Sequence, residues 1–205
     1  MTTSTIRLLL ADDQALVRGA LAALLALEPD LEVVAEVGSG DAVVDAVRAH
    51  HPDVALLDVE MPGLDGISAA AAVRAEFPDV RVLIVTTFGR PGFLRRALQA
   101  GASGFVVKDT PAAELADAVR RVHAGLRVVD PALATDSLVA GESPLTARET
   151  EVLLAARDGS SVATMAGRLF LSEGTVRNHL SSAIGKTGAG NRAEAVLIAD
   201  RNGWL

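Results

Sequence analysis

Residues 54–66 read VALLDVEMPGLDG. A short aliphatic run stops at Asp58, and the turn-forming stretch MPGLDG follows, with Gly63 and Gly66 supplying permissive backbone. An apolar run of this length, bounded by turn residues, predicts a strand buried on both faces. The pattern recurs on either side. Comparable runs rich in Val, Ile or Leu stand at Ile6–Ala11, Glu32–Val37, Val54–Asp58, Val80–Thr86 and Gly104–Lys108. Helical periodicity fills the intervals, predicting helices over Ala15–Leu27, Asp41–His50, Gly66–Glu76, Pro91–Ala100 and Ala112–Ala124.

Strand and helix in strict alternation predict an α/β fold, a flavodoxin-like doubly wound five-stranded parallel sheet with helices on both faces. The expected domain is residues 1–125. Residues 126–143 (LRVVDPALATDSLVAGES) break the alternation and read as a linker, partly helical near Pro131. From residue 144 the pattern is helix only, over Ala147–Arg157, Val162–Leu169, Glu173–Lys186 and Arg192–Asn202, which predicts a small all-α domain at 144–205.

Composition narrows the function classes. The chain has no Cys, so disulfide scaffolds and thiolate metal sites are out. No apolar run is long enough to span a bilayer, and the N-terminus lacks the pattern of a signal peptide; the expectation is a cytoplasmic protein without a membrane partner. The net charge of −7 is unevenly distributed. Residues 1–141 carry 12 Lys/Arg against 19 Asp/Glu, whereas residues 142–205 carry 7 of each. The acidity belongs to the first segment, and a neutral second segment would hold DNA weakly as a monomer.

The strand ends carry the chemistry. Asp12 and Asp13 follow the first run, Asp58 ends the third, Thr86 the fourth and Lys108 the fifth. In a parallel sheet these ends converge on one edge. Three crowded carboxylates repel one another unless a cation neutralises them, and oxygen ligands without His or Cys suit Mg²⁺. A carboxylate beside Mg²⁺ can accept a phosphoryl group, whose oxygens Lys108 and the Thr86 hydroxyl can then meet. Singly, each residue has a plainer reading: Asp13 could cap the helix that follows, Thr86 could be an ordinary strand residue, and Phe105 a half-buried aromatic. Asp58-Val59-Glu60 is not the Asp-x-Asp arrangement of a phosphohydrolase, so the expectation is a regulator rather than an enzyme.

Taken together, LLLADDQ, LLDVEMPGLDG, VTTF and GFVVKD resemble the receiver domain of two-component response regulators across roughly residues 5–124. The resemblance implies Asp58 as phosphoacceptor, with Thr86 and Lys108 completing its site. It implies Asp13 and Asp58 as Mg²⁺ ligands, Asp12 acting mostly through water, and the Glu60 backbone carbonyl as a further ligand. Thr86 becomes the switch hydroxyl and Phe105 the switch aromatic. Many receivers have Pro directly after the lysine; here Asp109 follows, and Pro comes only at Pro111.

In the second segment, two short helices joined by LSEG predict a helix-turn-helix, with Ser172 as N-cap of the second helix. Val176, Leu180 and Ile184 should face the core; Glu173, Thr175, Arg177, Asn178, Ser181 and Ser182 should face outward. LTARETEVL, LFLSEGTVRNHLSSAIGKTG and NRAEAV resemble the LuxR-type helix-turn-helix of NarL/FixJ-class response regulators. That likeness implies a recognition helix at Glu173–Lys186 and a final helix that pairs two copies on double-stranded DNA. It implies contacts by Thr175, Arg177, Asn178, Ser181 and Lys186. Ser181 replaces a basic residue common in relatives, and Thr187 stands where a Leu usually packs. His179 reads as a helix-surface or partly buried residue.

The partners implied are a sensor histidine kinase, DNA and a second copy of the chain. Within 15–27, LVRGALAALLAL is apolar nearly all round, with Arg18 its only charge. Its outer face, beside 112–124, is the expected dimer surface of the phosphorylated protein, to be tested by charging Leu21 and Leu25.

Overall fold

A computed structural model describes residues 5–87, 89, 91–131, 133–135 and 143–205. The chain divides into two compact units.

The first unit is a parallel sheet with strands β1 (Ile6–Ala11), β2 (Leu31–Val37), β3 (Val54–Leu57), β4 (Arg81–Thr86), β5 (Gly104–Val107) and β6 (Val128–Val129). Their order is β2-β1-β3-β4-β5-β6. Helices α1 (Ala15–Leu25), α2 (Val43–His50), α3 (Gly66–Glu76), α4 (Pro91–Gln99) and α5 (Ala112–His123) connect them. The aliphatic runs alternate between two cores. Leu9, Ala11, Ala55, Leu57, Val82 and Ile84 face one, with α2 and α3; Leu8, Leu10, Val54, Leu56, Leu83 and Val85 face the other, with α5. Both faces being covered, every second residue still enters a core, which is why the strands read as continuous apolar runs.

Five strands were expected and six are present among the described residues. Val128–Val129, inside the stretch read as linker, pair with Gly104 and Phe105 of β5 and extend the sheet. The pairing depends on close approach: a Cβ at Gly104 would lie 2.9 Å from the Val128 carbonyl oxygen and 2.7 Å from Leu83 Cδ1. Two residues are too few for periodicity to reveal a strand. Smaller shifts accompany it. The predicted helix from Asp41 begins instead as a 3₁₀ turn, Gly40–Ala42, before α2, and β3 ends one residue before Asp58. Residues 131 and 133–135 are helical, as the linker reading anticipated. Among the described residues no peptide bond is cis, Lys108–Asp109 included, and no helix is long and apolar enough to cross a membrane.

The second unit contains α6 (Ala147–Ala156), α7 (Val162–Leu169), α8 (Glu173–Thr187) and α9 (Arg192–Arg201). Each N-terminus is capped by a side chain accepting from the third residue on: Thr146, Ser161, Ser172 and Asn191 in turn. Val152, Leu153, Met165, Val176, Leu180, Ala183, Ala195 and Ala199 form its core. Phe170 ends α7 in the left-handed region (φ 54°), turning the chain within three residues into α8 and so building the helix-turn-helix.

Candidate functional site

Neighbouring strands β1, β3, β4 and β5 stop in register, with Ala11 opposite Leu57, Leu57 opposite Ile84 and Thr86 opposite Val107. The residues just beyond them are thereby brought to one edge. The Asp58 N–H donates to the Ala11 carbonyl (2.8 Å) and the Lys108 N–H to that of Thr86 (2.8 Å). Carboxylate oxygens of Asp12, Asp13 and Asp58 come within 4.8 Å of one another. Lys108 closes the group: its Nζ donates to Asp58 Oδ2 (2.8 Å) and makes ion-pair contact with Asp12 Oδ2 (2.7 Å). Asp12, Asp58 and Thr86 are buried, whereas Asp13 and Glu60 are exposed at the mouth.

The electrostatics follow from that placement. Burial pushes the Asp58 carboxyl above the usual range, the Lys108 ammonium partly offsets this, and Asp12 adds to it. For Lys108, burial pulls downward, but its bonds to Asp12 and Asp58 outweigh burial and raise it, keeping the ammonium charged. An all-oxygen cluster with two carboxylates sharing one ammonium fits a hard divalent cation.

The floor of the site leaves no room. A Cβ at Gly66 would lie 1.8 Å from the Asp58 carbonyl oxygen. Gly66→Ala is therefore expected to lower first-unit stability by about 1–3 kcal/mol, read from denaturant or thermal melts, because a backbone atom must give way.

Some expectations are corrected. Asp13 is not the cap of α1: Gln14 occupies that position without a side-chain bond, while Asp12 Oδ1 accepts from the Gln14 N–H (2.9 Å). Phe105 is fully buried rather than half-buried, packed in the α2–α3 side core. On α1, Leu25 is 1 % exposed and Leu21 packs against a core, so neither belongs to the outer face. The outward residues are Leu16 (87 %), Leu24 (44 %) and Leu27 just beyond (78 %).

On α8, Val176 and Leu180 are buried and Ile184 partly so. Arg177, Asn178 and Ser181 are exposed, Thr175 and His179 half-buried. Arg177 pairs with Glu173 one turn back (2.5 Å), and the Thr175 N–H donates to Ser172 Oγ. Thr187, where a Leu was missed, turns its hydroxyl onto the Ala183 carbonyl (2.8 Å). Lys186 and Ser182 both donate to Glu149 (2.7 Å each), a carboxylate only 4 % exposed. Glu149 also accepts from the Thr146 N–H, completing a capping box. Burial opposes ionisation of Glu149, yet the Lys186, Thr146 and Ser182 bonds lower its pKa to about 2. Sequence reasoning missed Glu149. The signal was present: Thr146 and Glu149 have the capping-box spacing ahead of an apolar run.

Comparison with known proteins gives the family. Residues 8–120 match the family described as "Response regulator receiver domain", and residues 143–199 the "Bacterial regulatory proteins, luxR family". The chain is 42 % identical over 200 residues to the uncharacterized transcriptional regulatory protein YvfU of Bacillus subtilis, covering 98 % of this chain and 100 % of that one. It is 41 % identical over 200 residues to the transcriptional regulatory protein DesR of the same organism, covering 98 % and 99 %. Among solved structures it resembles the response regulator ChrA of a heme-sensing two-component system, with a TM-score of 0.60 at 34 % identity, covering 98 % and 100 %. With the acidic pocket in its first unit and the helix-turn-helix in its second, the chain belongs to the two-component response regulators that carry a LuxR-type DNA-binding domain, a family of transcription factors.

Proposed function

We propose that a partner histidine kinase phosphorylates Asp58, and that phosphorylation promotes dimerisation and sequence-specific binding to double-stranded DNA in the cytoplasm. The observation that carries this reading is the single ammonium of Lys108 shared between Asp58 and Asp12 at the mouth of a carboxylate cluster. Asp12, Asp13, Asp58 and the Glu60 carbonyl would hold Mg²⁺, which when bound screens the carboxylates and draws charge from phosphoryl oxygens. An Asp58 oxygen bonds to phosphorus as the bond from phosphorus to the donor nitrogen breaks, the electron pair leaving with the imidazole. Lys108 then pairs with the phosphoryl oxygens and Thr86 donates its hydroxyl to one, shifting the ends of β4 and β5 and, with β5, Phe105. In this reading residues 1–125 are the receiver, 126–143 the connector anchored by β6, and 144–205 the DNA-binding domain.

On DNA, α8 would enter the major groove with Arg177, Asn178 and Ser181 toward base edges and Thr175 near the backbone. Lys186, held by Glu149 through one N–H, keeps further donors for phosphate. Because residues 142–205 are charge-neutral, affinity must come from joining two readers, worth roughly 10²–10⁴ in avidity. The surface for joining them in the first unit is the Leu16, Leu24 and Leu27 face of α1 beside α5, while α9 pairs the two copies on DNA.

The test measures mass, oligomeric state and DNA binding with and without acetyl phosphate and Mg²⁺. Phosphorylation should bring dimers and tighter DNA binding together. Leu16→Glu and Leu24→Glu should each leave phosphoryl uptake intact and weaken dimerisation at least about tenfold, the loss of a buried apolar side chain plus an unpaired charge. Normal dimerisation in both variants would exclude this face.

A further inference from the structure

Arg18 is the one charge on α1, and its guanidinium does not seek water: the side chain is 20 % exposed. A long cationic side chain on a surface helix ordinarily extends its head into solvent. Here Nη1 donates to the Asp12 carbonyl oxygen at 2.5 Å. The Nε is buried, 3.5 Å from Glu36 Oε2, and has no hydrogen-bond partner among the described residues. Arg18 and Leu21 line a small cavity together with Asp12 and Asp58.

Asp12 is consequently held from several directions. Its N–H donates to Val37 of β2 (3.1 Å), its Oδ1 accepts from Gln14, and its Oδ2 faces Lys108. The carbonyl is the group that Arg18 takes. One of these ties comes from Gln14, the N-cap of α1, and one from Arg18 within the helix, so the helix start and the acidic cluster are braced against each other through one residue. We infer that Arg18 is a positioning residue for the divalent-cation site, fixing the backbone of Asp12 so that its carboxylate faces Asp13 and Asp58. The inference rests on the reading of that pocket as an Mg²⁺ site.

Charge and positioning make opposite predictions. A guanidinium lining the same cavity as Asp12 and Asp58 repels a divalent cation held there, so by charge alone its removal should tighten Mg²⁺ binding. If Arg18 positions Asp12, its removal should weaken binding, in the way that loss of an outer-sphere hydrogen bond does.

The experiment is calorimetric titration of MgCl₂ into the full-length, unphosphorylated protein, with thermal melts as a folding check. Arg18→Ala should bind Mg²⁺ about tenfold more weakly than wild type, the lower end for lost outer-sphere partners. Arg18→Lys, which keeps a donor and the charge, should stay within about threefold, since it gives up only the planar fork. Unchanged or tighter binding by Arg18→Ala overturns the inference while leaving the pocket reading intact. Should that variant fail to fold, Arg18→Gln is titrated instead, with the same expected sign and the same overturning result. A wild-type protein that does not bind Mg²⁺ removes the pocket reading, and this inference with it.

Discussion

Asp58→Asn is expected to abolish phosphoryl uptake from acetyl phosphate and, with it, phosphodonor-dependent dimerisation and tight DNA binding. The amide is isosteric but is not a nucleophile toward phosphorus, and it removes one of three carboxylates from the cluster. The affinity loss on DNA should be at least about 10²-fold under phosphorylating conditions, the lower end of what joining two half-site readers supplies. Stability should move the other way. Burial raises the folded-state pKa of Asp58 above its unfolded value. Its ionised form therefore lowers stability, increasingly as pH climbs from the unfolded carboxylate value through the raised one. At neutral pH the Asn variant should melt no lower than wild type. Lys108→Ala would contrast with it, since Asp12 and Asp58 would then lie buried without the ammonium between them. A phosphorylation-dead variant that is fully folded, measured by intact mass and melting temperature, separates chemistry from structure; undiminished phosphoryl incorporation in Asp58→Asn would place the acceptor elsewhere.

The second large effect is expected at Glu149. Glu149→Ala removes the capping-box partner of Thr146 and both bonds from α8, leaving Lys186 and Ser182 without their acceptor. The cap and the charge-assisted bonds together make a loss of roughly 3 kcal/mol in the second unit. For a domain of this size that corresponds to about 12–24 °C in melting temperature. Trp204, the only tryptophan, packs against that unit's core and reports on it by fluorescence. The acid limb offers an independent check. Glu149 titrates at about 2 when folded, against an ordinary 4.5. A depressed carboxylate contributes stability that is complete above the unfolded value and disappears as pH falls through the folded one. Wild type should thus lose roughly 2–3 kcal/mol in the second unit between about pH 4.5 and 2 from this group. Glu149→Gln should lack that part of the slope. An unchanged acid profile would show that Glu149 does not anchor α8.

Much of the architecture was legible along the chain. Aliphatic runs of strand length, each followed by a helical period, announced the parallel sheet, and Ser172 announced the start of α8. The acids at the ends of β1 and β3 and the lysine after β5 could be assigned to one edge because a parallel sheet aligns its strand ends. Other features were not legible. A helix as apolar as α1 presents no polar stripe from which to infer its outward face, so Leu25 and Leu24 could be ordered only by packing. Lys186 could be read along the chain only as a DNA contact; that Glu149, far away in sequence, also meets it was not legible.

What the amino-acid sequence determined by itself was everything set by a few consecutive residues: strand and helix periods, N-caps, turns, and the residue types at each strand end. Only the tertiary structure decided which of those residues share a charge. Lys108 bridges Asp12 and Asp58, Arg18 turns inward onto Asp12, Glu149 gathers Lys186 and Ser182, and Val128–Val129 complete the sheet. The physical reason is range. Backbone preference and hydrophobic period act locally, whereas an ion pair or a strand edge is satisfied by whichever group packing delivers to it, and burial then makes that partner indispensable.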